Sequence, residues 1–350
     1  MKYKSPYKGV DTSKVVCLAT NESSYPLSQD IQENLYKEIN FTNRYPKVDN
    51  EELRQLIADR YNVKSENILI GAGSDELITL TALKFVSNGD NTIMSDPSFF
   101  RYKDLTELAG GNCKLVKGKN FCHDLKAMKD SIDAKTKIVF ICNPNNPTGT
   151  FISNEEIEDF VKDIPKDVIV VIDEAYFDFV YPRKLQSSVK FIDKYPNIIV
   201  FRTFSKFFGL AALRIGYAVG NKEVIESVNK LRSPYNVNSL AQAAAIEVLK
   251  KSEFFDNVYY EEIEKERTYY YDSFKTLDIE YIPSQANFVF AKFGKECEKW
   301  CEELQNLSII IRPCRMFGYA EYVRISIGNP EENKRLIEAL KNIVNRANEE

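Results

Sequence analysis

The chain of 350 residues predicts an α/β fold, in which a mainly parallel central sheet with helices on both faces is followed by a smaller α+β domain. Three observations carry that expectation. Between about residues 67 and 220, short runs rich in Ile and Val alternate with helical patterns. Those runs show little polar alternation, as strands covered on both faces do. After about residue 235 the rhythm changes to a long helical stretch and then several closely spaced strands, which fits a separate layer of mixed composition.

Taken in order, residues 1–35 contain no comparable strand–helix unit and are expected to pack with the small domain. Residues 36–235 form the large domain and residues 236–350 the small C-terminal one. In the large domain, NILIGAG (67–73), NTIMSD (91–96), KIVFICN (137–143), DVIVVID (167–173) and NIIVFRT (197–203) read as buried strands. One intervening helix starts at Ser153 with a capping-box spacing to Glu156, and sets Ile157, Phe160, Val161 and Ile164 on one stripe. In the small domain a helical region at 238–276 precedes strand-like IEYIP, ANFVFAKF, SIIIRP and YVRISIG, and the amphipathic PEENKRLIEALKNIV closes the pattern.

Composition narrows the chemistry. A formal charge of −4 lacks the basic footprint of a nucleic-acid binder. No apolar run approaches the ~20 residues of a membrane span, and MKYKSPYKGVDTSK leads into no signal core. The seven cysteines are scattered without a CxxC and are expected to be free thiols of a cytoplasmic protein. Cys297 and Cys301 lie four apart, too few ligands for a metal site. The single histidine, His123, sits in a polar loop-to-helix stretch, so a histidine-based triad or a multi-histidine metal centre is not expected.

The chemistry then falls to Lys, Asp, Tyr and Arg. GAGSDEL follows a strand and opens a helix, which suits either an anion at the helix N-terminus or a plain tight turn. Ser74 and Asp75 would present the amides. NPNNPTG (143–149) reads as a turn, yet it lies at a strand C-terminus, where open α/β sheets bind ligands. DEAYFDF (173–179) brings an Asp out of an apolar strand, which is costly without a cation or donor to meet it. In TFSKFFGLAALRIGY (203–217), burial and the like charge of Arg214 would disfavour the ammonium of Lys206, making it a Schiff-base nucleophile. Thr203, Ser205 and Arg214 could surround a phosphate. A lysine, a phosphate cradle and an acid for a pyridinium nitrogen together match the requirements of pyridoxal 5'-phosphate.

With NRYP, GAGSDEL, NPNNPTG, DEAY, TFSK, LRIGY, NVNSLAQAAA and RISIG in this order, the chain resembles fold-type I pyridoxal-phosphate enzymes, and among them the histidinol-phosphate aminotransferases. The resemblance spans roughly residues 17–344. It implies that Lys206 carries the cofactor, Asp173 faces its pyridine nitrogen, and Asn146 and Tyr176 bond its 3-oxygen. Ser74, Asp75, Thr203, Ser205 and Arg214 would hold the phosphate, and Tyr102 would stack on the ring. It also implies a homodimer with shared active sites, in which Tyr45 reaches the cofactor of the neighbouring subunit. Arg324 would grip a substrate carboxylate and Arg312 a substrate phosphate, with Asn21 in the segment closing over the substrate. The substrates would be a small phosphorylated or aromatic amine and a 2-oxo acid.

Two departures bear on the substrate. The family usually shows NENP with a glycine soon after, whereas this chain has NESSYPLS (21–28) after a shorter leading segment. RPCRMFGYAEYVR (312–324) adds Cys314 and Arg315, a run similar to that of threonine-phosphate decarboxylases, although those usually lack the tyrosine kept here as Tyr176. An aromatic-amino-acid aminotransferase is the other enzyme alternative. A pyridoxal-phosphate-binding regulator would need a DNA-binding module for which no spare N-terminal segment is seen. A nicotinamide dehydrogenase is disfavoured by the missing third glycine in GAGSDE.

Overall fold

In the computed structural model, which describes residues 5–182 and 186–349, the Ile- and Val-rich runs become the middle of one large sheet. Its strands are β2 (Ile68–Gly71), β3 (Asn91–Asp96), β4 (Asn112–Lys117), β5 (Thr136–Cys142), β6 (Ile169–Asp173), β7 (Ile198–Thr203) and β8 (Gly216–Gly220); β1 (Val16–Leu18) belongs elsewhere. The spatial order is β2-β8-β7-β6-β5-β3-β4. All neighbours run parallel except β8, which is antiparallel to both β2 and β7. The reason for the unbroken apolar runs is visible in the packing. Val139, Ile141, Val170, Ile172 and Val200 face one core, while Ile138, Phe140, Ile169, Val171, Ile199 and Phe201 face a second on the opposite side. Each strand alternates between two dry faces, so neither parity can be polar.

Two strands of this sheet escaped the sequence reading. β4 is an edge strand whose exposure alternates and which carries lysines at both Lys114 and Lys117, a composition typical of a protected edge. β8 is a five-residue GYAVG bounded by glycines, and only its neighbours reveal that it is fully buried.

The second sheet contains β1, β9 (Tyr281–Ile282), β10 (Phe288–Lys292), β11 (Ile309–Pro313) and β12 (Tyr322–Ser326), in the order β1-β11-β12-β10-β9. β1 pairs parallel with β11, from Val16 opposite Ile309 to Leu18 opposite Ile311, and the remaining pairs are antiparallel. The chain therefore leaves β1 at Ala19 directly beside the end of β11.

The helical region at 238–276 is not continuous. Helix Ser239–Lys250 ends at Lys251, and a short turn and a π-helical turn at Phe255–Tyr259 lead into helix Tyr260–Thr276. Helix Ser239–Lys250 packs against both Gln29–Ile39 and Glu51–Tyr61.

Helix Asn154–Val161 starts with the reciprocal bonds its sequence announces. The Ser153 hydroxyl accepts from the Glu156 amide at 3.2 Å, and the Glu156 carboxylate accepts from the Ser153 amide at 2.8 Å. Ile157, Phe160, Val161 and Ile164 are buried. Ser153→Ala is expected to cost about 1 kcal/mol of folding stability. Urea unfolding would measure it, and an unchanged midpoint would show that the box does not stabilise this helix.

Candidate active site

The adjacent ends of β5, β6 and β7 project three short connections to one side of the large sheet, and half of the sequence-predicted residues lie on them or on the strand ends that lead into them. Cys142 pairs with Asp173 across β5 and β6, and Asp173 with Phe201 across β6 and β7. Register alone thus sets Asn146, Asp173 and Lys206 at one rim.

Asp173 ends β6 with only 3% of its surface exposed. Its Oδ2 accepts from the Tyr102 hydroxyl at 2.7 Å and its Oδ1 from the Ala175 amide at 3.1 Å. Burial pushes its carboxyl up to about 6, and those two donors oppose the rise. The turn that follows is anchored from below by Arg202, which bonds Glu174 at 2.9 Å and Asp178 at 2.6 Å in the interior. This ion-pair network was not anticipated from the sequence, where Arg202 reads as one more residue of an apolar strand. Between its two acids sits Tyr176, buried, its hydroxyl accepting from Asn21 Nδ2 at 2.9 Å. Burial raises that phenol to about 12.

Lys206 follows β7 by three residues and remains partly exposed. Its Nζ donates to the Thr20 carbonyl at 2.8 Å. Burial is the main cause that lowers its pKa to about 7, and the Arg324 guanidinium is the next. Arg214, the like charge expected from sequence proximity, has a smaller influence than Arg324. The reason is that Arg214 is turned the other way: Nη1 donates to the Ala211 carbonyl at 3.1 Å and to Ser205 Oγ at 3.4 Å.

Arg214 instead closes a cradle. Helix Ser74–Phe85 opens on Gly73, whose φ of +83° and lack of a capping side chain leave the amides of Ser74 and Asp75 at a bare helix start. A Cβ on Gly73 would lie 2.7 Å from Arg214 Nη2, so only glycine lets the guanidinium approach. The Ser205 amide donates to Thr203 Oγ1 at 3.1 Å, completing the far wall. The Asp75 carboxylate points away, bonded by Arg101 at 2.8 and 3.0 Å. An exposed helix N-terminus, a guanidinium and hydroxyls make an anion site suited to phosphate.

Tyr102 does not present a face to a ligand. Its ring is fully buried and stacked on Phe140 at a centroid distance of 4.6 Å. Its hydroxyl, donated to Asp173, supports the carboxylate. The aromatics of this turn that keep accessible surface are Phe99, edge-on to Tyr102 at 5.5 Å, and Phe100. Phe99 precedes the helix Arg101–Leu108 and Tyr102 lies in its first turn, and the sequence alone does not reveal which of them faces outward.

On the small-sheet side, Arg312 and Arg324 are direct cross-strand partners of β11 and β12 and are 6% exposed each. Arg312 Nε and Arg324 Nη2 donate to the same Ala19 carbonyl, at 3.2 and 2.8 Å, and Arg324 Nη1 donates to Asn146 Oδ1 at 2.6 Å. Like charges directly opposite on a sheet repel, so this geometry favours an anion between them. Arg315 is excluded from the pair: its side chain is 74% exposed and forms an ion pair with Glu298 at 2.5 Å.

Asn21 has left-handed backbone with φ +56° and is buried against β12, its amide donating to Ser326 Oγ at 2.9 Å and its carbonyl accepting from Asn287 at 3.2 Å. Tyr45 is 81% exposed, stacked on Tyr235 at 4.6 Å, and lines a cavity of about 570 Å³ shared with Ala72, Arg214 and Asn236. His123 is buried with Nε2 against the Cys142 carbonyl at 2.8 Å, and burial lowers it to about 4. Among the described residues no cluster of His, Cys, Asp and Glu could hold a metal ion, the seven cysteines are free thiols, and no helix is long and apolar enough to cross a membrane.

Known proteins match this arrangement along nearly the whole chain. The family described as aminotransferase class I and II matches residues 13–340. A histidinol-phosphate aminotransferase of Caldicellulosiruptor saccharolyticus is 37% identical over 332 residues, covering 95% of this chain and 92% of that one. A second such enzyme from Haemophilus influenzae is 37% identical over 335 residues, covering 96% and 91%. The crystal structure of the histidinol-phosphate aminotransferase of Sinorhizobium meliloti in complex with pyridoxal-5'-phosphate superposes with a TM-score of 0.90, covering 99% of this chain and 96% of that one at 24% identity, a likeness of fold.

The depressed Lys206 has a measurable signature. Its folded pKa of about 7 lies below the ordinary 10.5, so between these values the folded protein holds fewer protons than the unfolded chain and stability rises with pH. Thermal midpoints of the cofactor-stripped protein should show that rise from pH 7 upward. Lys206→Met should flatten it; an equal rise in the variant would place the titration elsewhere.

Proposed function

We infer the reaction from a chain that belongs to the class I and II aminotransferases and, within them, to the histidinol-phosphate aminotransferase family. It is a pyridoxal-phosphate-dependent aminotransferase that moves the amino group between histidinol phosphate and 2-oxoglutarate in histidine biosynthesis. The observation that carries this reading is the buried Arg312–Arg324 pair beside Lys206. Two guanidiniums on one face suit the dianionic phosphate of the amine, and in the second half-reaction the two carboxylates of a 2-oxo diacid.

The donor set fits the cofactor from end to end. An anion cradle lies at Gly73, Ser205 and Arg214, a buried carboxylate at Asp173, and an amine of lowered pKa at Lys206. Pyridoxal phosphate supplies, when bound, an aldehyde that bonds amines and a ring that accepts the electron pair left at the substrate carbon.

The chain's own groups do the rest. The amides of Ser74 and Asp75, the hydroxyls of Thr203 and Ser205, and Arg214 would hold the phosphate. Asp173, kept ionised by Tyr102 and Ala175, would retain a proton on the pyridine nitrogen. Asn146, fixed through Oδ1 by Arg324, would offer Nδ2 to the ring's 3-oxygen, and the Tyr176 hydroxyl would bond the same oxygen. Lys206 Nζ, able to be neutral near pH 7, would be the base that takes the substrate's α-proton and holds it as the ammonium. Asn21 and the carbonyls beside it cover the substrate from the N-terminal side and exclude water.

The active form is a cytoplasmic homodimer with shared sites, in which Tyr45 reaches the phosphate of the neighbouring subunit. The exposure of Tyr45 and its stacking on Tyr235 beside the Arg214 cavity support that reading.

Purified protein should be yellow, absorbing near ~420 nm, and Lys206→Ala should lose the colour. Borohydride reduction and peptide mapping should place the adduct on residue 206. With histidinol phosphate and 2-oxoglutarate the protein should form glutamate, and Arg312→Met should lower kcat/KM for the amine about a hundredfold, equivalent to about 3 kcal/mol of lost charge pairing. Transfer from phenylalanine but not from histidinol phosphate would reassign the site to aromatic amino acids. Carbon dioxide release from phosphothreonine without amino transfer would make the protein a decarboxylase.

A further inference from the structure

Glu22 lies two residues past Thr20, in the segment on which the cations of the site converge. Lys206, Arg312 and Arg324 converge on the carbonyls of Ala19 and Thr20, and the next side chains along that segment are Asn21 and Glu22. The peptide that carries Glu22 is held fast. Asn21 is 1% exposed and left-handed, tied to Ser326, Asn287 and Tyr176. Glu22 itself is exposed, yet its carboxylate is oriented: the Thr20 hydroxyl donates to Oε2 at 2.6 Å. The carbonyl of the same Thr20 accepts the Lys206 ammonium at 2.8 Å. One residue thus ties an acid to the reacting amine. The field of Glu22 reaches Lys206 and opposes those of Arg324 and Arg214.

A glutamate that merely solvated the surface would need neither the hydroxyl clamp nor so rigid a peptide. Charge is also sorted along the site. The arginine pair takes the anionic end of a substrate, and a carboxylate near that end would repel it. Glu22, attached to the segment that covers the amine, suits the opposite end of the same molecule.

We propose that Glu22 reads the side chain of the amine substrate, its Oε1 accepting a hydrogen bond from a ring N–H or pairing with a protonated azole. This rests on the amino transfer proposed above and adds the residue that separates a nitrogen-bearing ring from a phenyl ring of similar size. A site built to bond a donor discriminates against an analogue lacking it, and a charge-assisted bond at an accessible position corresponds to about tenfold.

The test compares kcat/KM for histidinol phosphate and for the phosphate ester of phenylalaninol, which differ only in the ring. Wild type should prefer the imidazole substrate. Glu22→Gln, whose amide oxygen can still accept from Thr20, should narrow that preference about tenfold through loss on the imidazole side, and Glu22→Asp should restore part of it. An equal fall with both amines, or an unchanged ratio, would overturn the assignment, because it would make Glu22 a general lid residue or a bystander. A wild type that favours the phenyl amine would overturn it as well. If wild type accepts neither amine, the reaction itself fails, and the role of Glu22 falls with it.

Discussion

Much of this structure answers to the burial of positive charge around one lysine. Burial makes an ammonium costly, and the chain increases the cost by setting Arg324 nearby. A lysine in that environment can be neutral near physiological pH, which its ordinary pKa forbids. The carbonyls of Ala19 and Thr20 offset part of the cost by accepting from Lys206, Arg312 and Arg324 together. The N-terminal segment is thereby drawn into the site, and its position depends on the cations beneath it.

The architecture supplies what that cluster requires, a rigid base and a cover. The base is the parallel sheet, whose strands alternate between two cores and end in register. The cover comes from the second sheet, where the parallel pairing of β1 with β11 delivers residues 19–21 over the ends of β6 and β7. The two parts are joined by polar bonds, from Asn21 to Tyr176 and from Arg324 to Asn146, and by aromatic contacts such as that of Tyr176 with Phe288 at 5.0 Å.

Behind the site, support is layered. Phe140 fixes the ring of Tyr102, Tyr102 fixes Asp173, and Arg202 holds the turn that carries Tyr176. A buried ion pair adds little net stability, but it sets the angle at which the turn leaves the sheet. Asp173 shows the balance: burial pulls its carboxyl towards neutrality and two donors hold it back.

Much of the protein was determined by local sequence. The period of the apolar runs specified buried strands, the Ser153–Glu156 spacing specified a helix start, and the residues at strand ends specified Asn146, Asp173 and Lys206, because periodicity, capping and residue chemistry act over a few positions. The tertiary structure decided what depends on pairing between distant segments. The lysine-bearing edge strand β4 and the glycine-bounded β8 carry no local signal and exist because a neighbour supplies their hydrogen bonds. Arg324, not nearby Arg214, acts most strongly on Lys206, since cross-strand register places it there. Arg312 is in the site and Arg315 outside it for the same reason, and packing against Phe140 turned Tyr102 inward while Phe99 stayed half-buried. Distance along a chain is a poor guide to distance in a field, and only the folded backbone converts one into the other.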